Sequence, residues 1–213
     1  GKLLATLREL GAEQRTVVVV VSDHGESLGE LLESDGYAFD HGEFLAAHQL
    51  QVPLIVSAPG RAAEVVGAPV STLDVFATTL ELLGESAPRG TLSRSLIGMR
   101  EVTADEATRS APVLSQRRSY EQPPRPELAH LARSLIEEQW QFVRCGECAP
   151  RLYDLDRDPL GLADTSLRDE ADLRRLEARL GKLGSLFAPR YENKGAPLDL
   201  EHERALRELG YTR

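Results

Sequence analysis

The first apolar residues repeat at helical spacing: Leu3, Leu4, Leu7 and Leu10 share a face, and Gly11 stands where a helix would end. After a short polar link, Thr16-Val-Val-Val-Val-Val-Ser22 is β-branched and lacks polar alternation. Such a run predicts a strand buried on both faces, as in a parallel sheet. Polar residues cluster over positions 23–40, a loop longer than a mere connection needs and therefore a candidate site. Val52-Pro-Leu-Ile-Val-Ser-Ala58 predicts a second buried strand, closed by the turn signal Pro59-Gly60. Ser71-Thr-Leu-Asp74 has the form of a capping box. The helix it opens carries the apolar stripe Leu73, Phe76, Ala77, Leu80 and Leu83, and Gly84 closes it. Helix, strand, loop, strand, helix is an α/β alternation.

Beyond residue 85 the pattern changes. Residues 85–110 are rich in Gly, Ser, Arg and Pro and predict an irregular connection. Pro112–Arg117, Trp140–Arg144 and Arg151–Asp154 predict short strands, the last two joined by a tight turn. Asp169–Phe187 predicts a helix whose Leu173, Leu176, Leu180, Leu183 and Phe187 pack on that small sheet rather than on a coiled-coil partner. Three segments follow: 1–110, 111–187, and a loosely held tail over 188–213. Two buried parallel strands cannot cover each other's faces and edges. The expectation is that an N-terminal half of the same polypeptide supplies the missing strands.

Composition narrows the partners. Net charge is −9 with both signs mixed along the chain, so there is no electrostatic footprint for nucleic acid or anionic lipid. An anionic substrate has to be held by a local site. The longest apolar run, Val17–Val21, is far too short for a membrane segment, and Gly1-Lys2-Leu3-Leu4 reads like the middle of a helix rather than a leader. Two cysteines make no disulfide framework. Cys145 and Cys148 fall at the turn between two short strands with no second CxxC, which favours a plain hairpin with two thiols, bridged or not, over a metal or redox centre.

The chemistry concentrates in Asp23-His24-Gly25-Glu26, directly after the first strand, where α/β sheets place ligands. Asp23 offers a hard oxygen and His24 a nitrogen ligand, and Gly25 would let the chain turn sharply beside an ion. A loop Asp capping a turn explains the same residues without a metal. Seventeen residues on, Asp40-His41-Gly42-Glu43 nearly repeats the tetrapeptide. His41 could ligate a metal or donate a proton to a leaving group, or be a solvated loop histidine. His48 reads as a surface or packing position, and His130 and His202 have no motif around them.

Four segments together resemble the sulfatases of the alkaline phosphatase superfamily. Val19-Val-Val-Ser-Asp-His-Gly-Glu-Ser-Leu-Gly-Glu30 looks like the family's metal-binding strand end. Phe39-Asp-His-Gly-Glu-Phe-Leu45 with Gln49-Leu-Gln-Val-Pro-Leu-Ile-Val56 is similar to the next segment. Val70–Gly84 resembles the helix after it, and Leu152-Tyr-Asp-Leu-Asp-Arg-Asp-Pro159 resembles the late YDL..DP stretch. The resemblance implies a fold: the C-terminal part of a sulfatase-like α/β sandwich over 1–110, then a small antiparallel sheet with a C-terminal helix over 111–187.

It also implies chemistry. Asp23 and His24 would be metal ligands for a divalent ion, calcium by family habit, with zinc or manganese as alternatives. His41 falls where relatives carry a Lys or His that contacts the sulfate or leaving oxygen, and where phosphodiesterase-like relatives bind a second metal. The implied substrate is a sulfate ester, of a small molecule or a glycan. A phosphodiester or phosphonate hydrolase, a phosphoglycerol transferase and a non-catalytic relic remain alternatives. The family nucleophile belongs to a C/S-x-P-x-R signature in the N-terminal half. Cys-Gly-Glu-Cys-Ala-Pro-Arg151 does not fit it, so this chain alone is not expected to turn over substrate. Many relatives are exported or membrane-tethered, which leaves a periplasmic or tethered location open.

Overall fold

The computed structural model describes residues 1–99, 112–119, 129–146, 148–184 and 204. Helix α1 (Lys2–Glu9) ends as its leucine spacing predicts: Gly11 takes φ 60° and the Ala12 N–H reaches back to Leu7 O. A single 3-10 turn over Glu13–Arg15 leads into β1 (Val18–Val21).

Strand β1 pairs with β2 (Leu54–Ser57) in antiparallel register, Val18 opposite Ser57 and Val21 opposite Leu54. This corrects the parallel arrangement expected from the valine run. Parallel neighbours usually need a long helical crossover. The chain between these strands instead folds into a loop holding two one-turn helices, α2 (Leu32–Asp35) and α3 (Ala47–Leu50). Burial also differs from expectation. Val20 is 52% exposed and Ile55 60%, because no layer of the described residues covers that face.

Helix α4 (Asp74–Leu82) begins with half of the predicted capping box. The Asp74 carboxylate accepts the Ser71 N–H, while Ser71 Oγ accepts from Leu73 N–H instead of the Asp74 N–H. Its apolar stripe divides: Ala77 is buried, but Leu73, Phe76 and Leu83 are at least half exposed. The buried face is polar. Asp74 also accepts from the Arg94 N–H and Nε, and Thr78 Oγ1 donates to Asp74 O while accepting from the Leu96 N–H. Ser93 Oγ accepts from the Ala77 N–H in the first turn of the helix. The segment after α4 is thus laced along the helix by hydrogen bonds.

Strands β3 (Val113–Arg117), β4 (Ala132–Glu137), β5 (Trp140–Cys145) and β6 (Arg151–Asp154) form an antiparallel meander in that order. The sequence pattern predicts three of them and misses β4. There, Ser134 occupies a buried position, satisfied by Gln141 Nε2 at 3.2 Å, and interrupts the apolar signal. Leu135, Phe142 and Leu152 stand opposite one another across three strands and are wholly buried. Helix α5 (Glu170–Leu183) buries Leu176 and Leu180, and its Arg175 and Arg179 bond to Glu137 at the β4–β5 turn. Burying each such leucine contributes about 1.5–3 kcal/mol.

The opposite face of this sheet presents Arg117, Ala132, Val143, Cys145, Arg151 and Tyr153 to a cavity of ≈ 630 Å³. Across that cavity lie Leu31, Glu43, Phe44 and Leu45 of the long loop. Three hydrogen bonds hold the loop side to the sheet side: Gln141 Nε2 to Leu45 O, His48 Nδ1 to Leu160 O, and Gln51 Nε2 to Pro159 O. Residues Gly1–Gly181 form one compact unit and Lys182–Arg213 another. The predicted tail over 188–213, apart from residue 204, lies outside the described residues, as do Phe187 and residues 100–110 of the predicted connection.

Candidate active site

The loop leaves β1 and returns on itself. Isolated bridges join Ser27 to Asp40 and Leu31 to Tyr37, so the two His-Gly tetrapeptides, seventeen residues apart in sequence, lie side by side. His24 and His41 stack with ring centroids 3.6 Å apart and planes 14° from parallel. Glu26 closes the group: donor atoms of His24, Glu26 and His41 all lie within 4.8 Å of one another.

Hydrogen bonds set how the two rings present themselves. His24 Nδ1 faces Gly25 O at 2.8 Å, and His41 Nδ1 faces Glu26 Oε2 at 3.2 Å. Both partners are acceptors, so they suit a proton on each Nδ1 and leave each Nε2 turned away from them. Glu26 Oε1 is buried and has no hydrogen-bond partner among the described residues. Two imidazole nitrogens and an orphaned carboxylate oxygen are a donor set that fits a divalent cation.

Asp23 stands beside this group. Its Oδ1 accepts the His24 N–H at 3.0 Å and lies 3.7 Å from His24 Nε2, with the side chain 74% exposed. The predicted residues Asp23, His24 and His41 are therefore neighbours, but the trio that converges contains Glu26 in place of Asp23. The Asp-His-Gly-Glu spelling holds that signal, because its fourth residue returns toward the loop's mouth.

Gly25 has a role different from the expected sharp turn. Its φ is not in the left-handed region. Its N–H bonds Gln49 O at 2.7 Å, and a Cβ would collide with the His48 backbone oxygen. Glycine is required there by close approach of backbone. Behind it lies a network the sequence reading misses. Ser27, wholly buried, bonds His48 Nε2 at 2.7 Å and accepts from Gln49 Nε2 at 2.8 Å. His48, expected to be a surface or packing residue, bridges the site loop to Leu160 O. Beneath the loop, burial pushes the Tyr37 phenol well above its ordinary value, with the Asp40 charge adding to it. At the loop's outer edge, the backbone N–H groups of Gly29 and Leu28 hold the Glu30 carboxyl below the usual range.

A family profile described as Sulfatase matches residues 1–85, the stretch that holds both His-Gly tetrapeptides. A choline-sulfatase of Rhizobium meliloti (strain 1021) is 31% identical over 168 residues, covering 77% of this chain and 30% of that protein. The chain belongs to the sulfatase family. An arylsulfatase K of Danio rerio is 32% identical over 102 residues, 46% of this sulfatase-family chain and 18% of its own length. Among solved structures, the phosphonate monoester hydrolase of Silicibacter pomeroyi matches with a TM-score of 0.69 at 22% identity, over 89% of this chain and 38% of that one. This likeness shows a shared fold. The chain thus spans about a third or less of the two curated relatives' lengths.

One stretch of the sulfatase-family chain spells the nucleophile signature literally: Ser57-Ala58-Pro59-Gly60-Arg61. Its position rules it out for this site. Ser57 pairs with Val18, at the end of β1 opposite Val21 and the loop, about 10 Å along the strand. The YDL..DP stretch also has a structural explanation. Asp154 Oδ1 accepts the Asp156 and Arg157 N–H groups, and Asp158 Oδ2 accepts those of Leu162 and Ala163. These carboxylates cap turns.

Proposed function

We propose that this chain carries part of the active site of a sulfate ester hydrolase. The observation that supports it is the convergence of His24, Glu26 and His41 at the carboxyl end of β1 in a chain of the sulfatase family. His24 would hold a divalent ion through Nε2, with Asp23 and the orphaned Glu26 oxygen as further donors. Bound there, such an ion supplies positive charge against the oxygens of an ester anion. We read calcium as the ion when carboxylates from the rest of the polypeptide complete the site, and zinc or manganese where the imidazoles dominate.

His41 is the proton carrier in this reading. Glu26 holds its Nδ1–H, which leaves Nε2 to hold a proton for the leaving oxygen and places a carboxylate where it stabilises the imidazolium. The substrate is a sulfate ester, of a small molecule or a glycan. The nucleophile would come from the N-terminal half of the same polypeptide. A second reading, phosphonate or phosphodiester hydrolysis, is favoured by the fold shared with a phosphonate monoester hydrolase. In that case His41 joins His24 as a metal ligand.

The test uses the longest reading frame that contains this chain, assayed against an aryl sulfate and an aryl phosphonate monoester after chelation and after metal add-back. Sulfatase activity restored by metal, and lowered at least about 100-fold in Asp23→Ala and in His24→Ala, is the expected result. His41→Ala should lower kcat while the metal content stays unchanged. Loss of metal in His41→Ala together with preference for the phosphonate would select the second reading. Inactivity of the intact protein on both esters would leave the relic alternative.

A further inference from the structure

Cys145 and Cys148 stand apart from the site just described and have no part in its chemistry. They lie at the end of β5 and in the turn before β6, and both are half-buried. The Cys148 thiol donates to the Cys145 sulfur across 2.7 Å. Residues on either side of the pair are held by hydrogen bonds. The Cys148 N–H bonds Cys145 O at 2.6 Å, the Gly146 N–H bonds Leu131 O at 3.2 Å, and Arg144 Nη1 donates to Cys148 O at 3.0 Å. Gly146 takes positive φ, and a Cβ there would strike the His130 ring, so the turn is packed from outside as well. Cys145 is held in the ladder opposite Ala132. Ordering costs that usually oppose closing a small loop have been met by these contacts.

Both cysteines also line the cavity between the small sheet and the site loop, whose far wall includes Glu43 and Phe44, two and three residues beyond His41. They are therefore reachable by a small molecule. We propose that Cys145 and Cys148 are a reversible dithiol–disulfide pair, converted by exchange with a low-molecular-weight disulfide of the glutathione type.

The exchange balances. One cysteine thiolate attacks a sulfur of glutathione disulfide, forms a mixed disulfide and releases one glutathione thiolate. The second cysteine, having lost its proton to solvent, attacks the protein-bound sulfur of that mixed disulfide. The intramolecular bond forms and a second glutathione thiolate leaves. Two protein thiols are oxidised and one glutathione disulfide is reduced. The geometry favours the second step, because the attacking sulfur is already beside its target. The inference does not depend on the ester-hydrolase reading.

The experiment uses the whole 213-residue chain. It is equilibrated with reduced and oxidised glutathione at graded ratios, quenched with a maleimide and weighed intact by mass spectrometry. The expected product is a monomer with no alkylated thiol and no glutathione adduct, restored to two alkylatable thiols by dithiothreitol. The folded chain should keep its bridge at a roughly tenfold higher ratio of reduced to oxidised glutathione than the chain in concentrated urea. Cys148→Ser should instead accumulate a stable glutathione adduct at Cys145. Stable adducts on the unsubstituted chain, covalent dimers, two thiols that never react, or equal behaviour in urea would each overturn the proposal.

Discussion

At the scale of single residues, the loop with the two His-Gly pairs is braced from behind by polar groups. Ser27 is buried between His48 and Gln49 and donates and accepts at once, so its hydroxyl joins the loop bearing His24 to helix α3. Ser27→Ala leaves a part-buried imidazole nitrogen and a buried amide without their partner. We expect it to cost about 1–3 kcal/mol, read as a lower urea midpoint. A loss under about 0.5 kcal/mol would mean the network contributes little more than a surface contact does. Residue types and spacing single out Asp23, His24 and His41 as candidates, because they report ligand capacity. The sequence concealed Ser27 and His48, because a serine and a histidine twenty-one positions apart look like two solvated polar residues until the chain folds.

At the scale of elements, the small sheet has two different faces. One holds the buried Leu135, Phe142 and Leu152 and is bonded at Glu137 to Arg175 and Arg179 of α5. The other carries Tyr153, whose burial pushes its phenol above the ordinary value while the Arg151 hydrogen bond pulls the other way. Tyr37, under the site loop, is raised more strongly. A folded-state value above the unfolded one means that the folded chain holds protons the unfolded chain releases. Stability is therefore complete below the ordinary phenol value of about 10 and falls as pH rises beyond it. A tyrosinate absorbance titration should show a late fraction among the five tyrosines, reduced in Tyr37→Phe and in Tyr153→Phe. Simultaneous titration of all five while the far-ultraviolet circular dichroism stays folded would contradict this assignment. Helix α4 shows why element prediction was partial. Spacing located it, but the face it buries among the described residues is the one with Asp74 and Thr78. A hydrophobic stripe marks a surface meant for burial without saying what buries it.

At the scale of the molecule, several large apolar side chains are open. Val20, Val21 and Ile55 on the two-stranded sheet, Leu73, Phe76 and Leu83 around α4, and Leu3 and Leu4 on α1 are all at least 42% exposed. Open apolar groups in this number, on the two-stranded sheet, α1 and α4, are what a covering layer would bury. We propose that the N-terminal half of the same polypeptide covers them, in keeping with the chain spanning 30% of the choline-sulfatase it resembles. Hydrogen exchange should find the amides of β1 and β2 poorly protected in the 213-residue chain and slower by about 100-fold or more in a longer product of the same reading frame. Equal protection in both would remove the rest of the polypeptide as the covering layer.

The sequence by itself determined the family, the long loop with the two His-Gly pairs, the helices α1, α4 and α5, and three of the four strands of the small sheet. Each of these is written in local spacing, in β-branched runs or in short motifs, which neighbouring residues enforce through backbone preference and alternation. Only the tertiary structure decided that β1 and β2 run antiparallel and that Glu26 rather than Asp23 completes the converging trio. It also decided that Ser27 and His48 brace the loop, and that Ser57 sits at the wrong end of its strand to serve as nucleophile. Those outcomes depend on where segments twenty to a hundred residues apart come to rest. Contacts at that range are chosen by packing and by satisfaction of buried polar groups, which no window along the chain records.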